Sequence, residues 1–199
     1  MTIYNSNKYD ANFTAGGIFY NEFFALKEIL LSEDFNELIK LEVEQNNKIG
    51  IATNSARARI IREIKRRYNN VSFDFWTKFF SWNVNEQKLS LLYLCLKTYP
   101  LISDIHFEVV VKKYKTGQKL EAYDIQMRMD EISSFDNDVA NLSPLTLKKI
   151  NVHYRKALKD AGLYDGKLLL KESKASSSFW DYFKKNNESW FLEACFINL

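Results

Sequence analysis

NSARARIIREIKRRY (residues 54–68) holds five arginines, one lysine and a single acid, Glu63. At 100° per residue, Ala56, Ile60, Ile61, Ile64 and Tyr68 fall in one arc. Arg59, Arg62, Lys65 and Arg66 fall in the opposite arc. The stretch therefore predicts an amphipathic helix whose apolar face docks on a core, which points to an α-helical protein. Arg57 and Arg67 project within or beside the apolar arc and are expected to snorkel to its edge. A merely solvated face usually mixes signs, so that Glu–Lys pairs form along it. Here the cations are nearly unopposed, and most are arginine, the side chain shaped to grip phosphate bidentately. The charge pattern favours nucleic-acid contact over a plain solvated face.

The surrounding charge sharpens that reading. The chain has 199 residues and a net charge of only +3. Residues 1–50 carry 4 basic and 8 acidic side chains, whereas residues 51–100 carry 9 basic and 3 acidic. Such asymmetry suggests a polyanionic partner. Hydrophobic residues make up 46% and charged residues 27%, with 15% aromatics and two prolines, as in a chain folded throughout. The longest apolar run, Leu91 to Leu96, falls far short of the roughly 20 residues of a membrane-spanning helix. MTIYNSNKYDANF, at the start, has no basic patch followed by an apolar core, which predicts no secretory signal. Cys95 and Cys195 stand among apolar neighbours and read as buried small hydrophobes, with neither a zinc pattern nor a disulfide framework. A cytoplasmic protein is expected.

Further helices are predicted on both sides. Thr14 is placed to cap a helix opened by Gly16 and Gly17 and running to about Leu31, burying Ile18, Phe19, Phe23, Leu26 and Leu30. Others are expected at Phe35 to Val43 and at about 72–81, 86–98, 101–115 and 118–131, with a loop at 46–53. EVVVKKY (108–114) has the composition of a strand, yet Ile102, Ile105, Val109 and Tyr114 keep helical spacing, so a helix is preferred. Asp136 to Leu142 reads as a loop. Ser143-Pro144 then opens a helix that buries Leu147, Ile150, Tyr154, Ala157 and Leu158 and ends near Gly162. LYDGKLLLKES predicts a short β-hairpin turning on Asp165-Gly166, and two aromatic-rich helical pieces close the chain. The expected fold class is mainly α, a compact multi-helix bundle with one short C-terminal β-hairpin. Its organisation is a helical N-terminal domain over 1–135 and a smaller helix–hairpin–helix region over 136–199, or the two joined in one continuous domain. A helix with outward Lys148, Lys149, Arg155, Lys156 and Lys159 followed by a hairpin is also half of a winged helix-turn-helix.

No phosphate loop, dinucleotide fingerprint, zinc-protease helix or nucleophile elbow occurs. Gly16-Gly17 at a helix start could cradle a phosphate, but a lone pair of glycines reads first as close packing. His106 and His153 lack acidic or cysteine partners at ligand spacing and read as structural. Asp165 with Glu172 and Lys174 imitates the D…ExK metal site of nucleases. Glu63-Ile64-Lys65 is also an ExK, so this is kept as the minor alternative.

Four blocks in order resemble the BrxA family of the bacteriophage-exclusion (BREX) defence systems. They are Thr14, Gly16, Gly17 and Glu22, similar to its TxGGxxxxE opening; NSARARIIREIKRRY with Phe75-Trp76 after it; LLYLCLKTYPLISDIHFEVVVKKY; and SPLTLKKINVHYRKALKDAGLYDGKLLL. The third block departs from the family pattern at His106 and Lys112, where an aromatic residue and an arginine are expected. The resemblance, over about residues 9–171, implies a small, mainly helical, non-enzymatic protein that binds double-stranded DNA with little sequence preference beside other BREX proteins. No cofactor, metal or small-molecule substrate is expected, and the short apolar runs speak against a membrane. The expected DNA-contact residues are Arg57, Arg59, Arg62, Lys65, Arg66 and Arg67, with Lys148, Lys149, Arg155, Lys156 and Lys159 as a second patch. The alternatives are a scaffold within the defence complex, an RNA-binding helical protein, and the nuclease.

Overall fold

A computed structural model describes Tyr9 and residues 12–197. The stretch read for a secretory signal lies mostly outside the described residues. The chain order is α1 (Tyr20–Ala25), α2 (Lys27–Leu30), α3 (Phe35–Gln45), α4 (Asn54–Tyr68), α5 (Phe73–Phe79), α6 (Val84–Thr98), α7 (Pro100–Ile105), a π-helical stretch at His106–Val111, then α8 (Lys112–Lys115). After these come α9 (Ala122–Ser133), α10 (Asn137–Ala140), α11 (Pro144–Asp160), α12 (Ser177–Lys185) and α13 (Trp190–Ala194).

The helix α6 runs through the centre. Its residues Leu89 to Leu96 are all buried, as expected of a helix that is apolar all round. It begins on a reciprocal cap: Asn83 accepts from the backbone N–H groups of Asn85 and Glu86, and Glu86 accepts from the N–H of Asn83. The other carboxylate oxygen of Glu86 accepts from the Ser176 N–H at 2.8 Å and its hydroxyl at 2.7 Å. One side chain thus starts the central helix and ties the C-terminal segment to it. Residues 100–115 are helical throughout, as preferred above, although the turn widens to π spacing at 106–111. There His106 is buried, its Nδ1 2.7 Å from the Tyr154 hydroxyl and its Nε2 2.9 Å from the Ala194 carbonyl oxygen.

Three expectations need correction. The first helix starts at Tyr20 rather than at the glycines, because Gly16 takes φ +154° and Phe19 is left-handed at φ 57°. The buried set predicted for it is nevertheless buried. The 136–142 loop contains the short α10, capped by Asp136, which accepts from the N–H groups of Asp138 and Val139. No β-hairpin forms among the described residues. The chain does reverse at Asp165-Gly166, but pairing stops at one antiparallel bridge, Tyr164 with Leu169. The returning arm is drawn away: Glu172 is buried and accepts from Asn85 and from the N–H groups of Lys174 and Ala175. With no hairpin there is no wing, and the winged-helix expectation goes with it.

The apolar core does not part at residue 135. Phe183 and Phe191 pack on Tyr93 of α6 at ring separations of 5.0 and 5.3 Å, and Phe179 on Trp82 at 4.9 Å.

Candidate nucleic-acid interface

Helix α4 occupies residues 54–68 as its periodicity predicts, and Ile61 and Ile64 are buried beneath it. Of its cations, Arg59 and Arg62 are exposed, while Lys65 and Arg66 are half-buried. The Arg66 guanidinium lies 5.1 Å from the ring centre of Tyr99. Arg62 stands 3.7 Å from Glu63.

Arg57 and Arg67 do not reach the surface. Arg57 is 6% and Arg67 1% exposed, so neither presents its guanidinium to a phosphate, and both leave the expected contact set. Arg57 donates from Nε to the Val43 carbonyl at 2.6 Å and from Nη1 to the Ile51 carbonyl at 2.8 Å. It therefore fastens the loop before α4 to the end of α3. Arg67 donates to the Tyr99 hydroxyl at 3.1 Å, which itself donates to Glu63 at 2.8 Å. Its guanidinium also lies 4.6 Å from the ring centre of Phe19. A buried charge is tolerable only when paired and hydrogen-bonded, and here the packing of Phe13, Phe19 and Tyr99 closes around it.

The second patch lies on α11, where Lys148, Lys149, Lys156 and Lys159 are exposed and Arg155 is half-buried. It divides along the helix. Arg155 donates to Asn151 at 2.9 Å and lines a shallow cavity with Lys119 and Lys167. Lys159 acts on Asp165 nearby. Lys149, His153, Lys156 and Asp160, at helical spacing, form the other edge, which faces α4 and the glycine turn. Lys156 pairs with Asp160 at 2.5 Å.

Tertiary structure joins the two patches that the sequence separates. A groove of about 440 Å³ runs between the 15–22 segment, Ile60 of α4, Lys88 of α6 and His153, Lys156 and Asp160 of α11. Burial, and after it the positive charges of Arg59, Lys149 and Lys156, hold His153 below the usual imidazole range. Arg59 of α4 therefore acts on the same ring as the two α11 lysines. It also donates to the Thr14 hydroxyl at 2.5 Å. Thr14, expected as a helix cap, is a bond acceptor for the arginine helix instead. Gly17 packs on α11, where an added Cβ would meet the His153 carbonyl oxygen at 3.6 Å. That distance is an ordinary contact; the tight position is Gly16, where an added Cβ would stand 2.5 Å from the Phe19 ring.

Sequence reasoning missed Lys88, because a lone cation at the start of an apolar run carries no signal of what faces it. It likewise missed Lys119 and Lys167. In the alternative nuclease trio both carboxylates are engaged by hydrogen bonds. Asp165 accepts from the N–H groups of Lys167 and Leu168, each at 2.7 Å, and the bonds hold its carboxyl below the ordinary range. Glu172 is occupied as described, and among the described residues no cluster of three or more His, Cys, Asp or Glu side chains could hold a metal. Cys95 and Cys195 are buried free thiols. No described helix is long and apolar enough to cross a membrane.

Three of the four sequence blocks thus meet at one groove, and the fourth backs it through His106 and Tyr154. The family model described as BrxA matches residues 7–187. This chain belongs to the BrxA family. The match takes in every BrxA-like block and nearly the whole chain. A crystal structure of an uncharacterized protein from Magnetospirillum magneticum is similar at a TM-score of 0.74 and 17% identity, over 95% of this chain and 98% of that one. At that identity the likeness speaks to the fold alone, and it extends the BrxA-family fold to a distant sequence. None of the curated proteins compared with the chain matches it.

Proposed function

We propose that this BrxA-family chain is a non-enzymatic, cytoplasmic DNA-binding accessory protein of a BREX-type phage-defence system. It contacts the backbone of double-stranded DNA with little sequence preference and works beside other proteins of that system. The observation that carries the reading is the groove in which α4, the 15–22 turn and α11 meet, with His153 and Lys156 in its lining and Arg59 bonded to Thr14 beside it. Arg62 and Lys65 extend this surface along α4, and Lys148 extends it along α11. Such cations neutralise phosphates and position a protein on a duplex without reading bases.

Binding should therefore fall steeply with salt. Replacing Arg59, Lys149 and Lys156 together by glutamine should leave the helical circular-dichroism spectrum unchanged, since Arg59, Lys149 and Lys156 are exposed. The slope of log affinity against log salt should flatten by about 0.9 for each lost phosphate contact. Anisotropy with a labelled duplex at several salt concentrations measures it. A folded triple variant with the wild-type slope and affinity would sink the interface. Competition by double-stranded RNA tests duplex preference. A partner retained from the defence complex after nuclease treatment would support the scaffold alternative instead. Plasmid left unnicked with Mg²⁺ or Mn²⁺ is the expectation for the non-enzymatic role.

A further inference from the structure

We propose that the groove between the Gly16-Gly17 turn and α11 is a phosphate site, in which His153 binds one DNA phosphodiester as a charged imidazolium. This rests on the DNA-binding reading and adds a defined subsite and a proton to it. The groove, at about 440 Å³, has room for a phosphate group. Lys88 enters from α6 and Lys156 from α11, and His153 lines the wall between the glycine turn and Lys156. At Gly17 the turn lies against the α11 backbone at His153 and Ala157. The charged groups that act on the ring or line the groove with it come from every packed element. They are Arg59 from α4, Lys88 from α6, Lys149, Lys156 and Asp160 from α11, and Glu22 from the first helix.

Half-burial and then the surrounding cations hold the ring below the usual imidazole range, which favours its neutral form. A phosphodiester brings a negative charge among them. An opposite charge at contact favours the protonated ring, so phosphate entry draws a proton onto His153 and the imidazolium gains a second N–H donor. The sign follows from linkage. A group whose pKa is higher in the complex than in the free protein makes binding tighter as pH falls. That gain is lost as pH rises past the complexed value. The chain has only two histidines, and His106 is buried, bonded to Tyr154 and Ala194 and pushed down to about 4, which leaves His153 as the histidine that lines the groove.

The test measures affinity of the full chain for a labelled duplex at constant ionic strength, at about pH 7.5 and about pH 5.5. Wild type is expected to bind roughly three- to tenfold tighter at the lower pH, tenfold corresponding to one unit of pKa difference. H153Q should bind less tightly than wild type, most of all at the lower pH, and lose most of the dependence. Proton NMR of the His153 ring should show its midpoint moving up on duplex addition, and it decides the matter in wild type even if H153Q fails to fold. Wild type that binds duplex with no pH dependence, or a ring midpoint that does not move, overturns the site while leaving the DNA-binding reading standing. H153Q that keeps the full dependence overturns it too. Absence of duplex binding at both pH values overturns both.

Discussion

Arg57 and Arg59 stand two positions apart on α4, yet one is interior and the other faces solvent. Two residues turn a helix by about 200°, so charge alone could not assign them to one surface. Arg57 lies on the docked side, where α3 offers its terminal carbonyls. The first and last turns of every helix leave such groups without intrahelical partners, and Arg57 supplies the donors for Val43 and, in the loop, Ile51. Arg57→Met keeps most of the apolar stem and removes those donors. Leaving buried acceptors unpaired costs roughly 1–3 kcal/mol, which for a chain of this size lowers Tm by about 2–4 °C per kcal/mol. DNA affinity and its salt slope should remain at wild-type values, because the guanidinium never meets the duplex. Thermal unfolding together with a salt series checks both. An unchanged Tm with a flattened slope would return Arg57 to the interface.

At the scale of elements, the turn before α1 decides how the glycine block meets the basic helix. Gly16 has φ +154°, and a Cβ there would stand 2.5 Å from Cε1 of Phe19. Phe19 has little freedom to yield, being buried and covered by the Arg67 guanidinium. Gly16→Ala thus combines a backbone conformation that L residues rarely adopt with a clash against a fixed ring. A destabilisation on the order of 1–3 kcal/mol is expected, read as a lower urea midpoint with unchanged slope. A wild-type midpoint would mean that the turn rearranges freely and that the junction of Thr14 with Arg59 is not built in. The same logic explains the failed hairpin. Asp165-Gly166 does reverse the chain, as turn chemistry predicts, but a turn does not make strands when Glu172 anchors the second arm on α6.

Across the whole molecule, α6 is shared by everything packed around it. Glu86 caps it and holds Ser176, and Tyr93 meets rings from α12 and α13 edge to face. Segments before and after residue 135 therefore depend on one another's apolar surfaces. The chain is expected to unfold in a single transition, with far-UV dichroism and tryptophan fluorescence giving coincident curves. Two separated transitions would show that the C-terminal region folds by itself and that the core is less continuous than its packing indicates.

Periodicity was enough to read the longer helices such as α4, α6 and α11, since apolar spacing is a local property, but it missed α10 and misplaced the start of the first helix. The basic character of α4 was legible for the same reason, and so was its outward Arg59–Arg62 edge. The four family blocks could also be read in order. What sequence could not supply was the partner of each face. Arg67 becomes interior only because Phe13 and Phe19 from one stretch and Tyr99 from another close around it. Lys88 acquires meaning only because α6 brings it opposite Lys156. The joining of Arg59 to Lys149 and Lys156 required α4 and α11 to pack beside the glycine turn. Nearly a hundred positions separate them along the chain, and local pattern carries no information across that distance. Which longer helices form was therefore written locally, whereas which charges share a surface was decided by tertiary packing.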